Sequence, residues 1–177
     1  LELGCGRGEY TVALAQRFKE KNFIGIDIKG ARLWRGAKTA HENSMKNIRF
    51  MRTKVDFIDK LFSNDEVEEI WLTFSDPQPK KPRKRLTSPL FIDRYKKILN
   101  LKGIIHLKTD SDLLYNYTLD EINDNNFTII NKIDNIYNQF ESLDLEIQNT
   151  LEIKTFYEKK WLKEGKSIKY VSFKINS

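Results

Sequence analysis

The segment FSDPQPKKPRKR, residues 74–85, joins one carboxylate to a stiff and strongly basic stretch of chain. The apolar run EIWLTF leads into it and predicts a strand, so Asp76 would lie at the sheet edge where parallel α/β folds bind ligands. Three prolines restrict the backbone after Asp76, which lowers the entropy lost when the loop is ordered. Five basic residues in the same segment can neutralise phosphates: Lys80, Lys81, Arg83, Lys84 and Arg85. The combination indicates an enzyme acting on a nucleic-acid base, with an ordinary solvated loop as the alternative.

The segment ELGCGRGEY, residues 2–10, places three glycines between a predicted strand and a predicted helix. Gly4, Gly6 and Gly8 allow a tight turn and let backbone amides approach a ligand closely. Asp27 ends the next apolar run along the chain. A carboxylate in that position can accept hydrogen bonds from ribose hydroxyls. The context therefore predicts a nucleotide-like ligand at this loop.

The glycine spacing separates two classes of such ligands. This chain has G-x-G-x-G, whereas the dinucleotide fingerprint is G-x-G-x-x-G. Glu2 precedes the first glycine, and its carboxylate would attract the ammonium group of S-adenosylmethionine but repel the pyrophosphate of NAD. We therefore predict S-adenosylmethionine as the ligand, with a solvated charge at a strand end as the alternative role of Glu2.

Alternating apolar patterns predict repeated strand–helix units along the chain. The predicted strands are residues 1–3, 22–28, 47–53, 68–75, 103–109, 127–134 and 167–175. The predicted helices are residues 9–21, 30–43, 56–62, 88–100, 111–124 and 155–165. Such units form a parallel sheet with helices on both faces, and the last strand is expected to be antiparallel at the edge. Residues 135–153 are weakly patterned and predict a loop, and Trp34, Trp71 and Trp161 are expected in the core.

The composition limits the class of protein. The chain has 177 residues, of which 40% are hydrophobic and 32% charged, with a net charge of +6. These values predict one globular domain over residues 1–177 and mildly favour a polyanionic partner. With one cysteine and two histidines, neither a disulfide framework nor a zinc site is expected. No apolar run is long enough to span a bilayer, so we expect a cytoplasmic monomer or homodimer without membrane or metal. The start at LELGCG, inside a predicted strand, suggests that an N-terminal segment is missing.

Three blocks of sequence together resemble the bacterial tRNA (guanine-N7)-methyltransferase family, the TrmB-type enzymes. The first is ELGCGRGEY with FIGIDIKGARLWRGAK (23–38), a pattern shared by many methyltransferases. The second, FSDPQPKKPRKRLTSPLF (74–91), is highly specific for the family. The third combines HLKTD (106–110) with TFYEKKWLKEG (155–165). The resemblance covers nearly the whole chain.

This resemblance implies an α/β, Rossmann-like class I methyltransferase fold, with a mostly parallel seven-stranded sheet and helices on both faces. It implies S-adenosylmethionine as cofactor and tRNA as partner, with methyl transfer to N7 of a guanine in the variable loop. Asp76 is the implied catalytic residue. The residues implied on the cofactor side are Glu2, Gly4, Gly6, Asp27, Lys54, Asp56 and Asp76. Those implied to contact the substrate guanosine are Lys80, Asp110, Thr155, Phe156, Tyr157 and Glu158.

Two positions depart from the family pattern. Gln78 stands where the family usually has Trp, which removes an aromatic side chain from the basic loop. Lys54 stands where the family often has an aspartate near the adenine, and Asp56 is the candidate replacement. Two other functions remain open on sequence alone: the same cofactor with a different acceptor, and a non-catalytic RNA-binding protein on this scaffold. Retention of the acidic residues around the glycine and basic loops argues against the second.

Overall fold

A computed structural model of the chain describes residues 1–175, in which seven strands form one sheet. The strands are β1 (Glu2–Leu3), β2 (Phe23–Asp27), β3 (Ile48–Arg52), β4 (Val67–Thr73), β5 (Leu99–Thr109), β6 (Thr128–Ile133) and β7 (Lys169–Lys174). Their order across the sheet is β3-β2-β1-β4-β5-β7-β6. Strands β1 to β5 pair in parallel, and β7 runs antiparallel to both of its neighbours. The predicted mostly parallel, seven-stranded sheet and its antiparallel last strand are confirmed, but the predicted edge position is wrong, because β7 lies between β5 and β6.

Seven α-helices connect these strands within the described residues. They are α1 (Glu9–Arg17), α2 (Gly30–Glu42), α3 (Pro89–Ile98), α4 (Asp112–Asp124), α5 (Ile136–Gln139), α6 (Leu145–Leu151) and α7 (Phe156–Lys163). The predicted short helix at 56–62 is a 3-10 segment, Val55–Lys60. None of the helices in residues 1–175 is both long and apolar enough to cross a bilayer.

The sheet has an apolar layer on each face. Along β4, Ile70 and Leu72 belong to one buried cluster and Trp71 to the other, because successive side chains of a strand point to opposite faces. The first cluster includes Phe91 of α3, and the second includes Leu14 of α1. Helices therefore cover both faces, as the strand–helix pattern predicts.

The prediction of a loop over residues 135–153 is wrong. This segment contains α5 and α6, which have only four and seven residues. Ile136 and Leu151 are fully buried against the same face of the sheet as α1. Helices this short hold too few residues to show a helical period, and tertiary packing supplies their stability.

The carboxyl ends of the parallel strands lie at one edge of the sheet and lead directly into the predicted site. Strand β1 runs into the glycine loop, and β2 ends at Asp27. Strand β4 ends three residues before Asp76, and β5 ends one residue before Asp110. The topology thus brings together segments that are far apart in sequence.

A stacked polar cluster lies in the core. The rings of Trp71 and His106 are parallel, with their centroids 3.8 Å apart. His106 Nδ1 and the Tyr170 hydroxyl form a 2.8 Å hydrogen bond, whereas Nε2 has no hydrogen-bond partner within residues 1–175. Burial lowers the pKa of His106 to about 4, and the carboxylate of Glu69 partly opposes this shift. The imidazole is therefore neutral in the folded protein at physiological pH.

This low pKa predicts a pH-dependent loss of stability at His106. The unfolded chain binds a proton near pH 6.5 and the folded chain only near 4, so stability falls as the pH drops through this interval, by about 3 kcal/mol. Burial raises the pKa of Glu2 to about 7, which produces the opposite slope in an overlapping interval. We therefore expect the effect in the difference between the wild type and His106→Asn, where the Glu2 contribution cancels. Urea unfolding of both proteins between pH 4 and 7 measures this difference. If their free energies of unfolding changed with pH in parallel, the contribution of His106 would be contradicted.

Candidate active site

The loop between β1 and α1 is a concave turn built from glycines. Gly4, Gly6 and Gly8 all have positive φ angles, of 75°, 57° and 69°. The backbone amides of Gly4 and Cys5 donate to the Ile26 carbonyl, which fixes the loop to β2. A Cβ atom built at Gly4 or Gly6 would meet nothing within 4 Å. Open space therefore lies in front of the loop, where a ligand can approach the backbone.

A single aromatic ring fixes the rear of this loop. The Phe50 ring lies so close to Gly8 that a Cβ atom there would be 2.4 Å from its Cε1. On α2, a Cβ atom at Gly36 would be 2.6 Å from Phe50 Cζ and 2.8 Å from the Arg7 carbonyl oxygen. Gly8 and Gly36 are therefore both needed, because a side chain at either position would collide with the Phe50 ring, and at Gly36 also with the Arg7 backbone.

We expect Gly36→Ala to destabilise the protein by about 1–3 kcal/mol, although alanine is the better helix former. The new methyl group would press on the loop carbonyl of Arg7, a backbone atom that cannot easily give way. Gly30→Ala on the same helix is the control, since its Cβ would be 3.2 Å from the flexible Arg52 side chain. Urea unfolding of both variants tests this, and equal stabilities would contradict the tight packing at Gly36.

Glu2 is a buried acceptor that joins three elements. The residue is 3% exposed, so the alternative of a solvated strand-end charge is wrong. Its carboxylate accepts hydrogen bonds from the Thr11 amide at 2.8 Å and from the hydroxyls of Thr11 and Thr73. Burial raises the pKa of Glu2 to about 7, and these three donors lower it in part. Glu2 thus ties β1 to α1 and β4, and it also lines a small cavity beside the glycine loop.

Asp27 organises the opposite side of the glycine loop. Its Oδ2 accepts from the Gly6 amide at 2.9 Å and its Oδ1 from the Lys29 amide at 2.7 Å. The residue lines a cleft of about 1150 Å³ at the carboxyl edge of the sheet. Gly4, Lys54 and Asp56 line the same cleft. The structure therefore brings the predicted cofactor-side residues Gly4, Asp27, Lys54 and Asp56 to one place, with Glu2 and Gly6 in the adjoining small cavity.

The basic loop contributes to the same cleft. Four of its side chains are exposed and line the cleft: Lys80, Lys81, Arg83 and Lys84. Arg85 is different, because it is only 5% exposed. Its Nε donates to the Pro77 carbonyl at 2.9 Å, and its guanidinium lies 4.3 Å from the centroid of the Tyr117 ring. In this structure Arg85 fastens the loop to α4, and its contact with RNA stays a prediction.

Along the chain, Asp76 stands between a residue that lines the small cavity and one that lines the cleft, and it is not itself among the lining residues of either. Phe74 lines the small cavity and Gln78 lines the cleft. Asp76 is exposed, and its Oδ1 accepts one hydrogen bond from the Gln78 amide at 2.9 Å. Gln78, at the position where the family usually has Trp, has a φ of 45°. The carboxylate of Asp76 therefore retains acceptor capacity for a ligand.

The start of α7 reaches the glycine loop from the other end of the sequence. Thr155, Phe156 and Tyr157 line the small cavity together with Gly4 and Gly6. The Phe156 amide donates to Glu9 Oε2 at 2.8 Å, and the Arg7 guanidinium lies 5.2 Å from the Phe156 ring centroid. The aromatic side chains of Phe156 and Tyr157 are about half exposed. Three predicted guanosine-side residues, Thr155, Phe156 and Tyr157, thus share this cavity with the predicted cofactor-side residues Glu2, Gly4 and Gly6.

Two predicted guanosine contacts, Asp110 and Glu158, are not among the residues that line this cavity. Glu158 is fully buried, with Oε1 2.8 Å from Lys108 Nζ and 2.6 Å from the Tyr137 hydroxyl. Asp110 forms a 3.1 Å ion pair with Lys166. The Glu158 side chain is thus buried and paired in this structure, and its contact with guanosine stays a prediction. Lys108 was missed, although a lysine inside the apolar run GIIHLKT was a signal that could have identified it.

Comparisons with known proteins decide the family. A family model described as a putative methyltransferase matches residues 1–171. The tRNA (guanine-N(7)-)-methyltransferase of Bacteroides fragilis is 52% identical over 173 residues, which cover 98% of this chain and 67% of that protein. The enzymes of the same name from Porphyromonas gingivalis and Christiangramia forsetii are 51% and 48% identical, covering 98% and 99% of this chain and 69% and 77% of those proteins. This chain belongs to the tRNA (guanine-N7)-methyltransferase family.

Solved structures of more distant proteins share the fold of this tRNA (guanine-N7)-methyltransferase family member. Geranyl diphosphate C-methyltransferase from Streptomyces coelicolor superposes with a TM-score of 0.65 at 15% identity, covering 99% of this chain and 71% of the other. An S-adenosylmethionine-dependent methyltransferase from Aquifex aeolicus gives 0.65 at 12% identity, covering 99% and 80%. At these identities the likeness shows the class I methyltransferase fold alone.

Proposed function

We propose that this chain transfers the methyl group of S-adenosylmethionine to N7 of a guanine in the variable loop of tRNA. The observation that carries the proposal is the small cavity in which the glycine loop meets Phe156 and Tyr157. A methyl donor held by the loop and a base held by the aromatic side chains would face each other there. The family membership of the chain supports the same reaction and the same class of substrate.

The residues present fit S-adenosylmethionine. The open space before Gly4 and Gly6 admits a ligand to the backbone, and Asp27 stands at the end of β2, where ribose hydroxyls would donate to its free lone pairs. Ile28 is 51% exposed in the same cleft and offers an apolar surface to a purine ring. Lys54 and Asp56 both line this part of the cleft, so both remain candidates for the adenine side. When bound, S-adenosylmethionine supplies an electrophilic methyl group on a sulfonium.

The guanine requires orientation more than activation. Its N7 carries an exposed lone pair and needs no deprotonation before it attacks the methyl group. Phe156 and Tyr157 can stack on the base and hold N7 in line with the donor. Methylation leaves a positive charge on the guanine, and the exposed carboxylate of Asp76 is the group predicted to stabilise it. The chain thus contributes alignment and one negative charge.

The exposed basic residues of the loop are proposed to bind tRNA phosphates. We expect Lys81→Gln/Lys84→Gln to weaken tRNA binding and to reduce the slope of log K against log salt by about 0.7 to 0.9 for each lost phosphate contact. Binding of S-adenosylmethionine should not change. The control is Lys19→Gln/Lys102→Gln, which removes two exposed lysines at the opposite edge of the sheet. Fluorescence anisotropy at several salt concentrations measures both, and equal slopes for the two variants would contradict the proposal.

A substrate lacking the acceptor atom tests the reaction. We would compare two tRNAs, one with guanosine and one with 7-deazaguanosine at the variable-loop position, using S-adenosylmethionine labelled in its methyl group. We expect label transfer to the first tRNA and none to the second, since a carbon replaces N7. Equal labelling of both would place the methyl group elsewhere and overturn the proposal, and cofactor binding without transfer would indicate another acceptor.

A further inference from the structure

Lys108 of β5 is a fully buried lysine with every donor occupied. Its ammonium donates to the carbonyls of Leu151 and Ile153 at 2.8 and 2.9 Å and lies 2.8 Å from Glu158 Oε1. A lysine ammonium has three donors, and all three are directed to residues 151–158, which run from the end of α6 into the first turn of α7. Burial lowers the pKa of Lys108 to about 8, against the opposing effect of Glu158. Lys108 therefore binds three residues, Leu151, Ile153 and Glu158, that lie more than forty residues later in the chain.

Further contacts fasten the same segment. The Tyr137 hydroxyl donates to Glu158 Oε1 at 2.6 Å, and the Tyr10 hydroxyl donates to the Thr150 carbonyl at 2.9 Å. The Lys108 ammonium also lies 5.3 Å from the Tyr10 ring centroid. The attachment points at 150, 151, 153 and 158 flank residues 155–157 on both sides. Displacing this network would therefore displace the residues that line the small cavity.

Stability alone is a weak reason for such a pair. A buried ion pair usually contributes no more stability than apolar side chains of similar volume, because both charges lose their hydration. Among the residues that the structure describes, Glu158 Oε2 has no hydrogen-bond partner, so the hydrogen-bonding capacity of the pair is not fully used. The pair instead fixes the orientation of α7. A charged hydrogen bond has a defined geometry, so it holds Glu158, in the first turn of α7, at one position relative to β5.

We propose that Lys108 and Glu158 are positioning residues that hold Phe156 and Tyr157 at the rim of the small cavity, where the acceptor base docks. They act on the placement of the base and not on binding of the methyl donor, because the hydrogen bonds of Lys108 go to residues 151–158 and none in the described residues goes to the glycine loop. This role rests on the proposed function for its substrate. The placement of the segment itself can be tested without tRNA.

Four variants separate positioning from folding. Lys108→Met leaves a buried, uncompensated carboxylate and is expected to lower the melting temperature, as is Glu158→Gln to a smaller degree. Lys108→Met/Glu158→Met removes both charges, so we expect its melting temperature to return close to that of the wild type. Lys169→Met is the matched control, since Lys169 on the neighbouring strand pairs with Asp112 at 2.7 Å and does not contact the segment.

The double variant gives the decisive result. We expect a loss of at least tenfold in kcat/KM for tRNA, an unchanged dissociation constant for S-adenosylmethionine, and faster amide hydrogen exchange at residues 154–158. Wild-type kcat/KM in this variant would overturn the proposal and leave the pair a purely structural feature. If the wild-type chain itself does not methylate tRNA, the proposed function fails, and hydrogen exchange still decides the positioning: unchanged protection at 154–158 would overturn it.

Discussion

Replacing Asp76 by alanine is expected to lower the rate of tRNA methylation by about 10²–10³-fold, a typical effect of removing one group that stabilises transition-state charge. The side chain is exposed and accepts only one hydrogen bond, from the Gln78 amide. Its loss should therefore change the free energy of unfolding by no more than about 0.5 kcal/mol. Single-turnover methyl transfer at saturating tRNA and cofactor measures the rate without a contribution from folding or binding.

Two further variants show whether the charge of Asp76 is responsible. Asp76→Asn keeps an acceptor for the Gln78 amide but removes the negative charge, and we expect it to be almost as slow as Asp76→Ala. Asp110→Asn removes the other candidate carboxylate, which Lys166 already neutralises at 3.1 Å, so a smaller effect is expected. Full activity of Asp76→Asn would contradict an electrostatic role.

The second large effect is expected at Asp27. Replacing it by alanine should raise the dissociation constant for S-adenosylmethionine by about 100-fold or more, since hydrogen bonds to a charged group contribute about 1.5–3 kcal/mol each. The loss has two parts: the ribose would lose its acceptor, and the Gly6 and Lys29 amides would lose theirs. Isothermal titration calorimetry measures the affinity directly.

A stability-matched variant separates this binding effect from general damage. Glu69→Ala also removes a partly buried carboxylate with two side-chain partners, Lys21 and Trp71, but near the opposite edge of the sheet. We expect Glu69→Ala to lower the free energy of unfolding while leaving cofactor affinity within about twofold of wild type. An equal loss of affinity in both variants would argue against a direct ribose contact at Asp27.

Local patterns in the sequence predicted the fold and one side of the site. Strand–helix alternation predicted the parallel sheet, and the parallel arrangement then placed Asp27 and Asp76 at one edge. The glycine loop was recognisable because positive φ angles and close ligand approach both require glycine. These features depend on neighbours in the chain, and composition and spacing report them well.

Features set by distant packing were not predictable. Arg85 belongs to a charged run and was expected on the RNA-binding surface of the protein. Its side chain is instead buried, where it contacts the Tyr117 ring and donates to the Pro77 carbonyl. Trp34 was expected in the core and is 59% exposed on α2. Glu158 matched a family motif for substrate contact, yet its partner Lys108 lies fifty residues earlier in the chain. For Arg85 and Glu158 the deciding contacts, with Tyr117 and Lys108, join elements that the sequence does not place side by side.

Mapping the modified nucleotide tests the central claim most directly. Unmodified tRNA would be incubated with the chain and S-adenosylmethionine, then treated with borohydride and aniline, which cleave the strand at N7-methylguanosine. The account predicts cleavage at one guanine of the variable loop, and no cleavage with Asp76→Ala over the same time. Methyl incorporation without cleavage, or cleavage at guanines throughout the tRNA, would contradict it.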